Sequence, residues 1–271
     1  MAKEHEKPKD LWLGILAVAA ALAVLVLILI SAPGAREPVE TVPSTTVEPE
    51  PEANIYGPED FAFEGDYLTC IAGESMLGID VSAHQKEIDW TQVAEAGIEF
   101  VMVRLGYRGY GTGTLHADDY GQANLQGARD AGLLVGAYFY SQAVSAEEAE
   151  EEAAFALALL GDFELDFPLA FDWEYVSEDA RTGLADSRLV TDCALAFCEA
   201  IKAAGVQPMV YFNPYWGDTY FELVELEAYP FWLAMYREEM NYPYRVEMWQ
   251  YTSKGSVPGI NGNVDINLYL P

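Results

Sequence analysis

The chain has 271 residues, of which 51% are hydrophobic and 21% are charged, and this length accommodates one large domain with additional segments. Its formal net charge is −30, with only 14 Lys and Arg residues along the whole chain. Because binding to nucleic acid requires a basic surface, this charge excludes nucleic acid as a partner.

The most apolar stretch of the chain lies close to its N-terminus. Residues 11–30 carry no charge, and as a helix they would extend roughly 30 Å, the thickness of the hydrocarbon core of a bilayer. Three lysines precede this stretch, whereas only Arg36 follows it closely. By the positive-inside rule, residues 1–10 are cytoplasmic, residues 11–30 form a single transmembrane anchor, and the rest of the chain is extracytoplasmic. The alternative is a cleaved signal peptide and a secreted protein.

The next segment, residues 31–75, has the composition of a linker. It contains the run EPVETVPSTTVEPEPEAN, which is rich in Pro, Glu and Thr and nearly free of large apolar residues. Such a run buries too little apolar surface to fold, so we predict an extended tether over residues 32–58, while the sequence does not decide the order of residues 59–75. The composition changes near Met76, and residues 76–271 are predicted to form the globular domain.

From residue 76 onward, apolar runs of strand length alternate with helical patterns. Strands are predicted at residues 78–82, 100–107, 133–141, 167–174 and 208–214, and helices at residues 90–97, 120–132, 145–160 and 186–204. Continuous apolar strands that are separated by helices indicate a parallel sheet covered by helices.

The pattern changes toward the C-terminus, where three more strands are predicted at residues 230–236, 246–252 and 263–269. The two gaps between these three strands barely allow the crossover helix that a parallel connection needs, so this end leaves room for an antiparallel step. We therefore predict an α/β fold, a TIM-like barrel with regular βα units first and an irregular C-terminal part. The alternative is an open doubly wound sheet, although no GxGxxG turn follows the first strand.

The Cys and His residues do not suggest a metal centre. The three cysteines, Cys70, Cys193 and Cys198, and the three histidines are too dispersed for zinc-like spacing. We predict no metal site, and we expect the cysteines to be buried free thiols.

Four acidic residues lie on or next to predicted strands: Asp80, Asp172, Glu174 and Asp265. The active site of a βα barrel lies at the C-terminal ends of its strands, and the first and last strands become neighbours when the barrel closes. Side chains alternate along a strand, so Asp172 and Glu174 share one face, with Cα atoms about 6.6 Å apart, and Trp173 points to the other face. The four acids are therefore candidates for one cluster.

Clustered carboxylates in a partly apolar cleft raise one another's pKa, which keeps a proton available near neutral pH. Such a group can protonate a glycosidic oxygen. Arg104 is either an ion-pair partner of these acids or a substrate contact. Aromatic residues, which suit the apolar faces of sugars, gather at the inferred barrel mouth: Tyr107, Tyr138, Tyr140, Tyr211, Trp216, Trp232, Tyr236 and Trp249.

Several motifs resemble, in chain order, the glycoside hydrolase family 25 lysozymes, the Chalaropsis-type muramidases. They are GIDVSAHQKEIDWTQVAEAGIEFVMVRLGY, GLLVGAYFYSQA, PLAFDWE, VYFNPYW and MWQYTSKGSVPGINGNVDINLY. The resemblance implies a (β/α)5β3 barrel, which agrees with the irregular end predicted above. It also implies cleavage of the β-1,4 bond between N-acetylmuramic acid and N-acetylglucosamine in peptidoglycan glycan strands, with no metal or organic cofactor.

The same resemblance implies roles for individual residues. Glu174 would be the catalytic acid, Asp172 would assist it, and Asp80 and Asp265 would be the other acids of the cleft. The second half of the reaction would use either a carboxylate nucleophile or the N-acetyl group of the substrate. Residues implied to contact the substrate are Tyr138, Tyr211, Trp232 and Gln250.

We expect the catalytic domain to be monomeric. Two other functions remain open on the sequence: a non-catalytic wall-binding module on the same fold, and a chitinase-like glycosidase, because FDWE also resembles the end of the chitinase motif.

Overall fold

The computed structural model describes residues 50–271, so the predicted cytoplasmic segment and transmembrane anchor lie outside the described residues. Within residues 50–271, no helix is both long enough and apolar enough to cross a membrane.

The described chain alternates strands with helices, as the sequence predicts. The strands are β1 (Phe61–Glu64), β2 (Tyr67–Cys70), β3 (Met76–Val81), β4 (Phe100–Arg108), β5 (Leu115–Ala117), β6 (Leu134–Ser141), β7 (Leu169–Trp173), β8 (Pro208–Phe212), β9 (Phe231–Ala234), β10 (Met248–Gly255) and β11 (Val264–Tyr269). The helices are α1 (Trp90–Glu95), α2 (Gly121–Asp130), α3 (Ala146–Leu160), α4 (Ser187–Ala203) and α5 (Pro214–Tyr220), with short 3-10 helices at Pro58–Asp60 and Leu223–Leu226.

Eight of the strands close into a barrel. Strands β4, β6, β7, β8, β9 and β10 follow one another as parallel neighbours, and β3 pairs in parallel with β4. Strand β11 closes the ring by pairing antiparallel with both β10 and β3. The predicted TIM-like barrel with an irregular end is confirmed, and closure rules out the open sheet. The short strand β5, which the sequence analysis missed, pairs antiparallel with the edge of β4.

The inside of the barrel is packed with large side chains, including Phe100, Met102 and Trp232. Two glycines make room for them. A Cβ at Gly78 would come within 2.3 Å of the Phe100 ring, and a Cβ at Gly136 within 2.4 Å of the Met102 sulfur. The barrel is therefore a filled core, and its open space lies at the strand ends.

A second apolar layer lies between the strands and the surrounding helices. Trp173, which alternation predicts on the outer face of β7, is fully buried there and packs on Tyr220 and Phe221 with ring centroids 5.1 and 6.5 Å away. All three cysteines are buried and free, as expected from their spacing.

The folded region begins earlier than residue 76. Strands β1 and β2 form an antiparallel hairpin. Phe61 packs edge-on against Trp249 at 5.0 Å, and the backbone N–H of Leu68 donates to the Tyr251 hydroxyl at 3.3 Å. The Pro- and Glu-rich composition upstream concealed this hairpin, whose two strands have only four residues each and bury Phe61, Leu68 and Cys70. The part of the predicted linker from residue 50 onward therefore contains structure that packs on the barrel.

Candidate active site

The four acidic residues meet at one end of the barrel. Asp80 and Asp265 lie on the neighbouring strands β3 and β11 and are paired in register, so their side chains emerge side by side. Asp172 is near the end of β7, and Glu174 directly follows that strand. Since βα barrels carry their active sites at the C-terminal ends of the parallel strands, these acids occupy the expected position for catalysis.

A cavity of about 250 Å³ contains this cluster. Eleven of the fourteen residues singled out from the sequence line it: Asp80, Arg104, Tyr138, Tyr140, Asp172, Glu174, Tyr211, Trp232, Tyr236, Gln250 and Asp265. Three aromatic residues expected at the mouth do not line it: Tyr107, Trp216 and Trp249. The Tyr107 ring stacks on His116 with centroids 5.0 Å apart, and Trp249 is buried in the outer layer of the core against Phe61. Ser82, His84 and Gln85 also line the cavity. The sequence analysis assigned them no role. Their position directly after the first barrel strand could have indicated one, because the residues that follow the strands of a βα barrel surround its active site.

A chain of hydrogen bonds fixes Asp80. Its Oδ2 accepts from Gln250 Nε2 at 2.7 Å and from Asn267 Nδ2 at 2.8 Å. The Gln250 Oε1 in turn accepts from the hydroxyls of Tyr211 and Tyr236 at 3.2 and 3.0 Å. The carboxyl therefore has one defined orientation, and Asn267 contributes to it although the sequence analysis did not single it out.

Burial and mutual repulsion raise the pKa values of the cluster. Burial, with the nearby Asp265 carboxylate, raises the pKa of Asp80 to about 8. Burial and the same carboxylate raise the pKa of Glu174 to about 7, and burial raises the pKa of Asp265 to about 6. The pKa of Asp172 is raised by burial and by Glu174. At neutral pH the four acids therefore carry fewer than four charges.

Asp172 differs from Glu174 in its exposure. Only 5% of Asp172 is accessible, and its Oδ1 has no hydrogen-bond partner in the protein. It lies in register with Tyr140 on one neighbouring strand and Tyr211 on the other. A buried polar atom without a partner is costly, so this oxygen is suited to a ligand group that donates a hydrogen bond.

Arg104 lies at the cavity wall, but its ion-pair partner is none of the four acids. Its Nη2 and Nε lie 2.7 and 2.8 Å from Oδ2 of Asp118, which is buried. The same oxygen accepts from the backbone N–H of Ala83 at 3.0 Å, which ties the β3–α1 loop to this pair. The guanidinium is thus held in place beside the cavity.

The backbone at Glu174 is held by Gln142, a fully buried residue that follows β6. Its Nε2 donates to the Glu174 carbonyl at 2.6 Å, and its Oε1 accepts from Thr182 Oγ1 at 3.1 Å. Arg181 donates to the Gln142 carbonyl at 2.7 Å and pairs with Glu148 at 2.6 Å. The loop after β7 is therefore anchored to α3, which sets the direction of the Glu174 side chain.

The cluster can supply a proton and also stabilise developing positive charge. Among residues 50–271, no group of three or more His, Cys, Asp or Glu residues is arranged to hold a metal ion. Buried rings of Tyr138, Tyr211 and Trp232 form the floor, with the Trp232 ring centroid 5.9 and 4.9 Å from the two tyrosines. A βα barrel whose mouth combines clustered carboxyls with aromatic rings defines a glycoside hydrolase type of site.

The comparison with known families agrees with this class. Residues 79–260 match the profile described as "Glycosyl hydrolases family 25". The match covers more than half of the chain, so the chain belongs to glycosyl hydrolase family 25 and is a glycoside hydrolase. This confirms the family indicated by the sequence motifs.

Individual relatives cover most of the barrel. The chain is 32% identical over 205 residues to the uncharacterized protein YegX of Escherichia coli K12, covering 73% of this chain and 71% of that protein. It is 28% identical over 204 residues to lysozyme M1 of Streptomyces globisporus, covering 71% and 67%. The modular autolysin LytC of Streptococcus pneumoniae, solved with a synthetic peptidoglycan ligand, matches with a TM-score of 0.64 and 27% identity over 72% of this chain. This chain spans about half of that autolysin, 47% of its length.

Proposed function

We propose that this protein is a muramidase that hydrolyses the β-1,4 bond between N-acetylmuramic acid and N-acetylglucosamine in peptidoglycan. The observation that carries the proposal is the convergence of four carboxyl groups in one aromatic-lined cavity, with Glu174 the candidate proton donor. The similarity to a lysozyme and to an autolysin solved with a peptidoglycan ligand supports the choice of substrate.

In the first step, Glu174 protonates the glycosidic oxygen as the bond breaks. Its pKa of about 7 keeps a large fraction protonated near neutral pH, and its partial exposure brings it into contact with a bound strand. Positive charge that develops on the sugar ring is stabilised by the ionised members of the cluster, of which Asp265 has the lowest pKa value given above, about 6.

As the bond breaks, one of two groups attacks the anomeric carbon, and a water molecule that gives its proton to Glu174 then hydrolyses the intermediate. Asp172 has a different role in each of these two routes. In one route, a carboxylate attacks the sugar and forms a covalent intermediate. In the other, the N-acetyl group of the substrate attacks, and Asp172 orients it by accepting its N–H. The unpaired, buried Oδ1 of Asp172 favours the second route.

The substrate itself discriminates between these routes. Glycan strands whose muramic acid residues have lost the N-acetyl group cannot assist their own cleavage, so the substrate-assisted route predicts loss of hydrolysis on them. Trapping of a glycosyl-enzyme adduct, seen by intact-protein mass spectrometry, would contradict that route.

The proposed activity is tested by incubating the purified full-length chain with peptidoglycan and measuring new reducing ends, with mass analysis of the released muropeptides. Glu174→Gln is expected to lower kcat by about 10²- to 10⁴-fold, because it removes the proton donor. Glu178→Gln, which changes an exposed carboxylate of the same loop, serves as the matched control.

Two outcomes would contradict the proposal. If wild type and Glu174→Gln released the same reducing ends, the acid would be elsewhere. If wild type bound peptidoglycan without cleaving it, or cleaved chitin in preference, the binding-module or chitinase-like alternative would replace the muramidase.

The dependence of activity on pH follows from the same residue. Because Glu174 must be protonated to act and its pKa is about 7, kcat/KM is expected to fall as pH rises through about 7, by up to tenfold per pH unit. A pH profile that stays flat to pH 9 would argue against Glu174 as the acid.

We further propose that residues 11–30 anchor the enzyme in the cell membrane, with a monomeric catalytic domain on the side where peptidoglycan lies. The apolar length and the lysines ahead of it support this location. The full-length chain should remain with membranes after alkaline extraction and should sediment as a monomer in detergent. An intact mass that lacks the first thirty or so residues would instead indicate a cleaved signal peptide.

A further inference from the structure

A second and larger cavity lies beside the acid cluster. It is a groove of about 1030 Å³ between the β1–β2 hairpin and the end of β10. Phe63 and Tyr67 of the hairpin line one side, and Lys254 of β10 lines the other. Tyr236 lines both the groove and the acid-containing cavity, so a single ring forms a wall that the two share.

The groove is built by contacts between the hairpin and the barrel. The Tyr67 hydroxyl donates to the Ser256 carbonyl at 3.4 Å, and the buried Tyr251 hydroxyl accepts from the Leu68 N–H at 3.3 Å. Two aromatic rings on this frame are open to solvent, with Phe63 50% and Tyr236 55% exposed. Exposed rings of this size on a fixed frame are suited to stacking on a ligand rather than to filling a core.

The charges in the groove are balanced, so they do not select for a strongly charged ligand. The charged side chains that line it are two cations, Arg237 and Lys254, and two acids, Asp66 and Glu238. This balance does not select for an acidic peptide, and the net charge of −30 on the whole chain opposes one. Sugars offer flat C–H faces for the rings and hydroxyl groups for the Thr and Ser side chains of β10.

We propose that this groove binds a second stretch of the glycan strand, beyond the sugars that occupy the acid-containing cavity. The inference rests on the proposed function, because the strand that is cleaved beside Glu174 is the one that passes Tyr236 into the groove. The hairpin precedes residues 79–260, the part that matches the family, so Phe63, Asp66 and Tyr67 give the groove a side that the family profile does not cover.

The first test compares long glycan strands with short ones. The full-length wild type should show a higher kcat/KM on long strands than on the shortest glycan fragment that it cleaves. Phe63→Ala should lower kcat/KM on long strands by about 2- to 10-fold, mainly through KM, because one stacking ring is lost. Ser253→Trp, which fills the groove, should have the same effect. Ile71→Ala removes another exposed apolar side chain of the same region that does not line the groove, so it is the matched control.

A binding measurement separates this inference from the proposed activity. The second measurement uses the Glu174→Gln variant and glycan strands stripped of stem peptides. Adding Phe63→Ala should lower the affinity for these strands by the same factor by which it lowers kcat/KM on long strands. Suppose that the wild type cleaved peptidoglycan, but both groove variants kept the wild-type ratio of kcat/KM on long strands to kcat/KM on short ones. The groove would then not bind glycan. If the effect of Phe63→Ala vanished on stripped strands, the stem peptide would be the ligand and the proposal would be overturned. If the wild type cleaved nothing but Phe63→Ala still weakened glycan binding, the proposed activity would be wrong and the proposed binding of glycan in the groove would be supported.

Discussion

Asp80 places a carboxyl in a buried position beside a second acid, and this arrangement makes the stability of the fold depend on pH. Its folded pKa of about 8 lies well above the ordinary value of about 4, so the folded protein holds a proton that the unfolded chain releases between these pH values. The folded state therefore binds more protons over this window, and the free energy of unfolding falls as pH rises from about 4 to 8.

Asp80→Asn should remove this loss of stability. The amide oxygen can still accept from Gln250 and Asn267, and it stays neutral at every pH. At pH 9 the variant should be more stable than wild type by about 1–3 kcal/mol, with little difference at pH 4, as measured by urea unfolding. Asp179→Asn, which changes an exposed carboxylate, is the control, and its free energy of unfolding should equal that of wild type at both pH values. Equal stability of Asp80→Asn and wild type at pH 9 would contradict the raised pKa.

Gln142 is expected to act on catalysis through Glu174. Gln142→Leu removes the donor to the Glu174 carbonyl and leaves that carbonyl without this partner, so the acid should shift from its position. We expect kcat to fall about tenfold with KM nearly unchanged, because sub-ångström misplacement of a reacting group is costly. Thr182→Val removes only the outer hydrogen bond to Gln142. If both variants lowered stability alike but neither changed kcat, Gln142 would have a purely structural role.

At the scale of elements, the β1–β2 hairpin is the main element that the sequence analysis did not predict. Phe61 and Phe63 lie two residues apart on one strand, yet Phe61 is 8% and Phe63 50% exposed. The buried ring contacts Trp249 and joins the outer layer of the barrel core. The hairpin is therefore part of the folded unit rather than of a tether.

This difference gives a paired prediction. Phe61→Ala should lower the free energy of unfolding by about 3–5 kcal/mol, whereas Phe63→Ala should lower it by less than about 1 kcal/mol. Urea unfolding of the two variants measures both values. Equal, small losses would mean that the hairpin does not pack on the barrel.

The regular βα units were predictable because each is encoded locally. Apolar runs, helix caps such as Ser145, whose Oγ accepts from the Glu148 N–H at 3.3 Å, and glycines after helices mark their boundaries. The short strand β5 was missed because three residues give too little periodicity. Its formation depends on the end of β4 at residues 106–108, which extends beyond the pairing of β4 with β3.

At the scale of the whole molecule, the net charge of −30 affects the approach to a polymer that is itself anionic. Salt screens this repulsion, so kcat/KM on intact peptidoglycan should rise by about 2- to 5-fold between 10 and 150 mM NaCl. A neutral chitooligosaccharide is the control substrate, and its binding should not change with salt. A fall in kcat/KM with added salt would indicate an attractive electrostatic contact instead.

The sequence by itself determined the features that repeat over a few residues: the alternation of strands and helices, the charge, the apolar run at residues 11–30, and the shared face of Asp172 and Glu174. Only the tertiary structure decided which distant residues meet. Closure of the barrel pairs Asp80 with Asp265, ion pairing directs Arg104 to Asp118, and the course of β4 leaves Tyr107 outside the cavity. Burial and proximity set the pKa values of the acids, and both arise from contacts between strands that no local pattern encodes.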